Sequence, residues 1–187
     1  VDCVKFDGTP IYQPGFGSMG QNPVADGSQF TVAVLWHTYR QTHSVTCITD
    51  NVDALIRTMQ AVPRNPKTKL VHIKPEGYDR CPYGFTDTVR MAGDVLFSSL
   101  LYVEASRRLA DLLDVAGRED QAAQWRSEAE AVSKSIRKTF WDEKLGLFRA
   151  ATIRCREPHI WGSAFAVYLG VADEAQSRAV ATYFKDQ

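Results

Sequence analysis

Residues 86–116 read TDTVRMAGDVLFSSLLYVEASRRLADLLDVA, and this stretch decides the fold. It contains no proline, it is apolar nearly all round, and Gly117 stands where a left-handed residue would end a helix. A helix with no wide polar face is normally buried. The stretch therefore reads as a helix from about Thr88 to Ala116 in the middle of the molecule, with Asp87 or Thr88 as its cap. Asp94 would then lie inside that helix, about 10 Å further along nearly the same face as Asp87. At that depth a carboxylate reads as a structural group paired with an arginine such as Arg90.

Working outward, five further segments show helical periodicity. SQFTVAVLWHTYRQT begins near Ser28 with Asp26 or Ser28 as its cap, and NVDALIRTMQAV is capped by Asp50 or Asn51 and ended by Pro63. EDQAAQWRSEAEAVSKSIRKTF is rich in good helix formers and stops before Asp142. IWGSAFAVYLG is short and nearly all apolar, whereas EAQSRAVATYF is amphipathic. In chain order the first, third and fifth helices are apolar nearly all round, and the second, fourth and sixth carry charge on one face. The connections alternate as well. Residues 63–86 and 142–159, which lead into the third and fifth helices, are long, while the turns leaving those helices span only a few residues. This pattern predicts an all-α toroid of helical hairpins, with three inner helices, three outer ones, and the long loops gathered at one end.

A chain of 187 residues is long enough to bury a sizeable core, and 44% apolar with 24% charged residues is ordinary for a globular protein. The 22 Lys and Arg balance the 22 Asp and Glu, which leaves no electrostatic footprint for nucleic acid or an anionic membrane. No stretch approaches the roughly 20 apolar residues of a membrane span, and VDCVKFDGTP lacks the layout of a signal peptide. Cys3, Cys47, Cys81 and Cys155 match no zinc or redox spacing and read as ordinary thiols. No phosphate-binding glycine loop, nucleophile elbow or HExxH is present, so neither a cofactor nor a metal is expected.

The long loops are unlike linkers. Residues 8–27 hold Tyr12, Phe16 and Met19 among glycines and prolines, and residues 75–86 hold Tyr78, Tyr83 and Phe85. Aromatic side chains displayed at one mouth suit stacking against sugar rings. Cleaving a glycosidic bond requires a proton donor to the leaving oxygen and a second carboxylate in the same pocket. Asp87, in YGFTDT, is the best placed candidate for the donor, because it ends the aromatic loop at the start of the most buried helix. A plain N-cap is its other reading. Asp26, in PVADGSQF, holds the equivalent position before the first helix. Capping is the simpler role there, and hydrogen bonds from Asp26 and Gln29 to sugar hydroxyls are the alternative. Trp161, in REPHIWGSAF, is either a core side chain or a sugar platform, Tyr83 and Phe85 are candidates for the same stacking, and His159 reads as a capping or packing residue.

GQNPVADGSQF followed by a helix, YGFTDTVRMAGDVLFSSLLYVEASRRLADLL, WDEKLGLFRA and HIWGSAFAVYLG together resemble the six-hairpin (α/α)6-barrel glycosidases. That superfamily includes trehalases, processing α-glucosidases, mannosylglycerate hydrolases, α-L-rhamnosidases and glycogen-debranching-type enzymes. The resemblance runs from about residue 8 to the end. It implies a partial catalytic domain over residues 1–187, an oligosaccharide or glycoside substrate, and Asp87 as general acid. A full ring needs six hairpins and three are read here. The second carboxylate of the superfamily comes from a later hairpin, so it is expected in the remainder of the barrel or in other chains that complete it. Two rival readings differ in class. A helical-repeat binding protein is suggested by GREDQAAQWRSEAEAVSKSIRKTFWDEKLGLF, but the irregular spacing and long aromatic loops oppose it. An (α/α)-toroid polysaccharide lyase or isomerase would instead rely on a cluster such as Tyr83, Arg80 and His159.

Overall fold

A computed structural model describes residues 26–75 and 91–186. The described chain forms α1 (Gly27–Thr42), α2 (Val45–Thr49), α3 (Val52–Gln60), β1 (His72–Ile73), β2 (Gly93–Asp94), α4 (Leu96–Val115), α5 (Glu119–Phe140), β3 (Trp141–Asp142), β4 (Leu147–Phe148), α6 (Ile160–Tyr168) and α7 (Glu174–Lys185). Thirteen of the 20 residues of α4 are buried, against 6 of the 22 in α5. The apolar helix is thus the inner member of its hairpin and the charged one the outer, as their side-chain patterns predict.

Side-chain contacts fix the direction of the inner helices. Near their starts, Gln29 Nε2 of α1 donates to the Ser98 carbonyl of α4 at 3.3 Å; two to three turns on, the Arg108 guanidinium of α4 lies 4.9 Å from the centre of the Trp36 ring of α1. On the other side Phe97 stacks on His159 with ring centroids 5.6 Å apart, while Arg107 donates to the Leu169 carbonyl just past the end of α6. Helices α1, α4 and α6 therefore run parallel, with all three N-termini at one end. The outer helices return: Thr58, late in α3, donates to Ser28, at the start of α1, over 3.1 Å. The hairpins α4–α5 and α6–α7 close by the same device. Gly117 and Gly170 adopt φ of +72° and +63°, and the amides of Arg118 and Val171 reach back to the carbonyls of Leu113 and Ala166 at 2.8 and 2.9 Å.

One inner helix departs from its sequence reading. It begins at Leu96, with Val95 as N-cap, and not near Thr88. Asp87 and Thr88 are accordingly not its caps. Residues 92–95 are extended instead. β2 pairs antiparallel with β1, His72 opposite Asp94 and Ile73 opposite Gly93, and on its other side Ala92 and Val95 bridge Arg154 and Ala151. Gly93 is the local cause. Its φ of +88° is outside the helical region, and a Cβ there would stand 2.4 Å from Thr152 Oγ1 and 2.8 Å from Ile153 Cγ1. Asp94 is therefore a strand residue rather than part of a helix. A second difference is α2, which lies in what reads as a plain connection; the Ser44 hydroxyl caps it by accepting from the Cys47 amide at 3.3 Å.

On either side of α4 the inner helices keep apolar side chains exposed, Phe30 and Val34 on α1 and Ile160, Trp161 and Tyr168 on α6. Cys47 is a free thiol, and Cys3 and Cys81 lie outside the described residues. Among the described residues no helix is long and apolar enough to cross a membrane, and no group of three His, Cys, Asp or Glu could hold a metal ion.

Candidate functional site at the inner-helix N-termini

The parallel inner helices bring three of the candidate residues to one end. Asp26 immediately precedes α1; it is buried, and its side chain makes no capping hydrogen bond to that helix. Gln29, one turn on, is buried where its amide ties α1 to α4. Trp161, in the first turn of α6, is 75% exposed, so it is not a core side chain of the described structure. Asp87, Tyr83 and Phe85, with Arg80 and Arg90, lie outside the described residues. The described residues that flank them, Pro75 and Met91, lie two residues beyond the paired strands β1 and β2, of which β2 leads into the N-terminus of α4.

The first turn of α4 is held by a clamp that local sequence does not announce. The Asp94 carboxylate is buried and accepts from Asn65 Nδ2 at 3.0 and 3.2 Å and from the Thr68 hydroxyl at 2.8 Å, with His72 Nδ1 at 2.7 Å. Its backbone amide donates to Thr152 Oγ1 at 2.9 Å, and its carbonyl accepts from the Thr152 amide at 3.1 Å. The amides of Val95 and Leu96 donate to the carbonyls of Val71 and Ala150 at 3.0 and 2.9 Å, which supplies partners that the start of a helix otherwise lacks. Two sequence-distant segments, 65–72 and 150–152, thus converge on Asp94 and the residues that follow it. With its oxygens taken up by Asn65, Thr68 and His72, Asp94 positions the entry to α4.

His159 also has a defined role. As N-cap of α6 its Nδ1 accepts the Gly162 amide at 2.9 Å, and its ring stacks on Phe97. That bond needs the neutral ring, and burial pushes the imidazole below the ordinary histidine range. In the unfolded chain the ring titrates near its usual value of about 6.5, so in acid the unfolded state binds the extra proton first. The stabilisation from this cap is complete above about pH 6.5 and is lost as pH falls below it towards the lower folded-state value. His159→Asn keeps a capping oxygen without a titrating ring. We expect the melting temperature of the parent to fall more steeply than that of His159→Asn between about pH 7 and pH 5; parallel curves would remove His159 from the acid response.

Residues 19–187 match the model of the mannosylglycerate hydrolase MGH1-like glycoside hydrolase domain. The chain belongs to that family. This MGH1-like domain matches no curated protein, but its fold recurs in solved structures. It superimposes on a rhamnosidase from Klebsiella oxytoca with rhamnose bound at a TM-score of 0.77 and 15% identity, over 98% of this chain and 35% of that one. On a GH78 family rhamnosidase of Bacillus sp. GL1 the TM-score is 0.72 and the identity 16%, over 87% and 17% of the two chains. The cellobiose 2-epimerase from Bacillus thermoamylovorans follows at a TM-score of 0.50 and 14% identity, over 83% and 42%. All three are (α/α)6-barrel-type enzymes, and the MGH1-like domain spans about a sixth and a third of the two rhamnosidases. Family and fold together make this a glycosidase-type domain built from helical hairpins of an (α/α) toroid, and they displace the helical-repeat binding reading.

Proposed function

We propose that this MGH1-like domain cleaves a glycosidic bond at the end where α1, α4 and α6 begin, with Asp87 as the general acid. The observation that carries this reading is the parallel run of the three inner helices. It sets Asp26, Gln29 and Trp161 at one end, and the segment containing Asp87 joins α4 at that same end. The carboxyl group of Asp87 donates its proton to the leaving oxygen as the bond to the anomeric carbon breaks. A second carboxylate, supplied from outside these 187 residues by the rest of the barrel or by another chain, activates water or attacks the anomeric carbon. Trp161 offers an exposed indole as a platform for a sugar ring, Tyr83 and Phe85 stack on neighbouring units, and Asp26 and Gln29 bind hydroxyls.

Trp161 tests the location of the site without touching the proton donor. Its side chain is mostly exposed, so Trp161→Ala is expected to leave the melting temperature within about 1 °C of the parent. Loss of a stacked ring costs about 0.5–1.5 kcal/mol, so in the complete enzyme KM for an oligosaccharide substrate should rise roughly two- to tenfold with kcat little changed. An unchanged KM across glucosides, mannosides and rhamnosides would move the sugar site away from the start of α6.

A further inference from the structure

The hairpin that follows α5 frames an open cleft of about 460 Å³ lined by Trp141, Asp142, Glu143, Lys144, Arg149 and Arg156. It lies at the same end of the helices as the start of α4, because the Ala150 carbonyl accepts from the Leu96 amide while the adjacent Arg149 lines the cleft. Two turns bring its side chains together. Asp142 Oδ1 accepts the amides of Lys144 and Leu145 at 2.9 and 3.3 Å and shapes the β3–β4 turn, where Gly146 has φ +63°. Asp142 Oδ2 takes Arg149 Nε at 2.9 Å. The bridge between Arg149 and Pro158, with the Ala150 amide donating to the Glu157 carbonyl at 2.8 Å, returns the chain so that Arg156 faces the same space.

We propose that this cleft binds an acidic sugar unit, a uronate whose carboxylate sits between Lys144 and Arg156 and whose ring lies against Trp141. Asp142 and Arg149 cancel each other, and the Arg149 guanidinium holds that carboxyl below the usual carboxylate range. Lys144 and Arg156, both exposed, make no ion pair among the described residues, and Glu143 is the one remaining anion in the lining. With two unpaired cations against one carboxylate, the cleft favours a singly charged anion over a neutral ligand. The other groups select a sugar over a bare ion. The Trp141 indole, held edge to face by Phe148 with ring centroids 5.0 Å apart, offers apolar surface for the C–H face of a ring. Glu143 accepts from hydroxyls and repels a compact dianion such as phosphate. This inference does not depend on the role of Asp87.

The probes are D-glucuronic acid and D-glucose, which differ in the group at C6, and inorganic phosphate, each titrated into the whole chain while the Trp141 indole N–H resonance is followed. Glucuronic acid is expected to move that resonance and to bind about tenfold or more tightly than glucose, with the preference shrinking as salt is raised. The double substitution Lys144→Gln and Arg156→Gln should weaken glucuronic acid about tenfold without changing glucose. Both residues are exposed, so this variant should melt with the parent. Equal affinity for the two sugars would overturn the proposal, as would undiminished glucuronic acid binding in the double variant. Phosphate that bound as tightly as glucuronic acid would reduce the cleft to a simple anion site and overturn it too.

Discussion

In the complete enzyme, Asp87→Asn should lower turnover on a natural glycoside by about 10²–10⁴-fold, a loss of roughly 3–5 kcal/mol of transition-state stabilisation. A natural leaving group is a poor one, and its oxygen needs a proton as the bond breaks; Asn cannot supply it. The competing role for Asp87 as cap of the central helix does not apply, because α4 starts at Leu96 and its N-cap is Val95. The substitution keeps the size of the side chain, so folding and sugar binding should survive. The measurement is kcat on two substrates that share a sugar and differ in leaving group, with a thermal melt as control. An activated aryl glycoside should lose much less than the natural one, since its departure needs little protonation. Near-normal turnover on the poor leaving group would leave the mechanism without its acid.

Asp94→Ala should cost about 3–5 kcal/mol of stability, the range found when one member of a buried charged network is removed. Three side chains, Asn65, Thr68 and His72, lose their acceptor at once. Their donors sit in a partly buried corner, so water can restore only some of the bonds. For a chain of this length the loss corresponds to a fall in melting temperature of roughly 10 °C. Asp94→Asn retains one acceptor oxygen but turns an amide N–H₂ towards donors, and it should fall between the parent and Asp94→Ala. If Asp94→Ala melted within about 2 °C of the parent, the clamp would not be what holds the entry to α4. Should Asp94→Ala also slow hydrolysis, Asp94→Asn would serve to separate the entry geometry from general loss of fold, because activity should recover along with the melting temperature.

Much of the helix pattern was legible because a helix is a local object. The span EDQAAQWRSEAEAVSKSIRKTF coincides with α5, Glu119–Phe140, since its good helix formers and charged face specify both the element and its outward side. The short turns at Gly117 and Gly170 were readable for the same reason, as only a residue content with positive φ closes those hairpins. From the alternation of apolar and charged helices, and of long and short connections, came the inner and outer layers and the placing of Asp26 and Trp161 at one end.

Residues 91–95 were not legible, because a short apolar run suits either a buried strand or a helix. Their partners decide the matter: 71–73 on one side and 151–154 on the other, some 20 and 60 residues away, pair with them, and Gly93 is the one local sign that they do. Asp94 changed role with that choice. On a helix it shared a face with Asp87; on a strand it meets Asn65, Thr68, His72 and Thr152, none of which spacing could have assigned to it. Likewise Trp161 could be core or platform until packing left it 75% exposed, and the cleft at Trp141 exists only because two turns fold Lys144 and Arg156 against it. Periodicity carries what neighbours along the chain decide. The clamp, the platform and the cleft depend on which distant segments come to lie side by side, and only the tertiary structure contains that information.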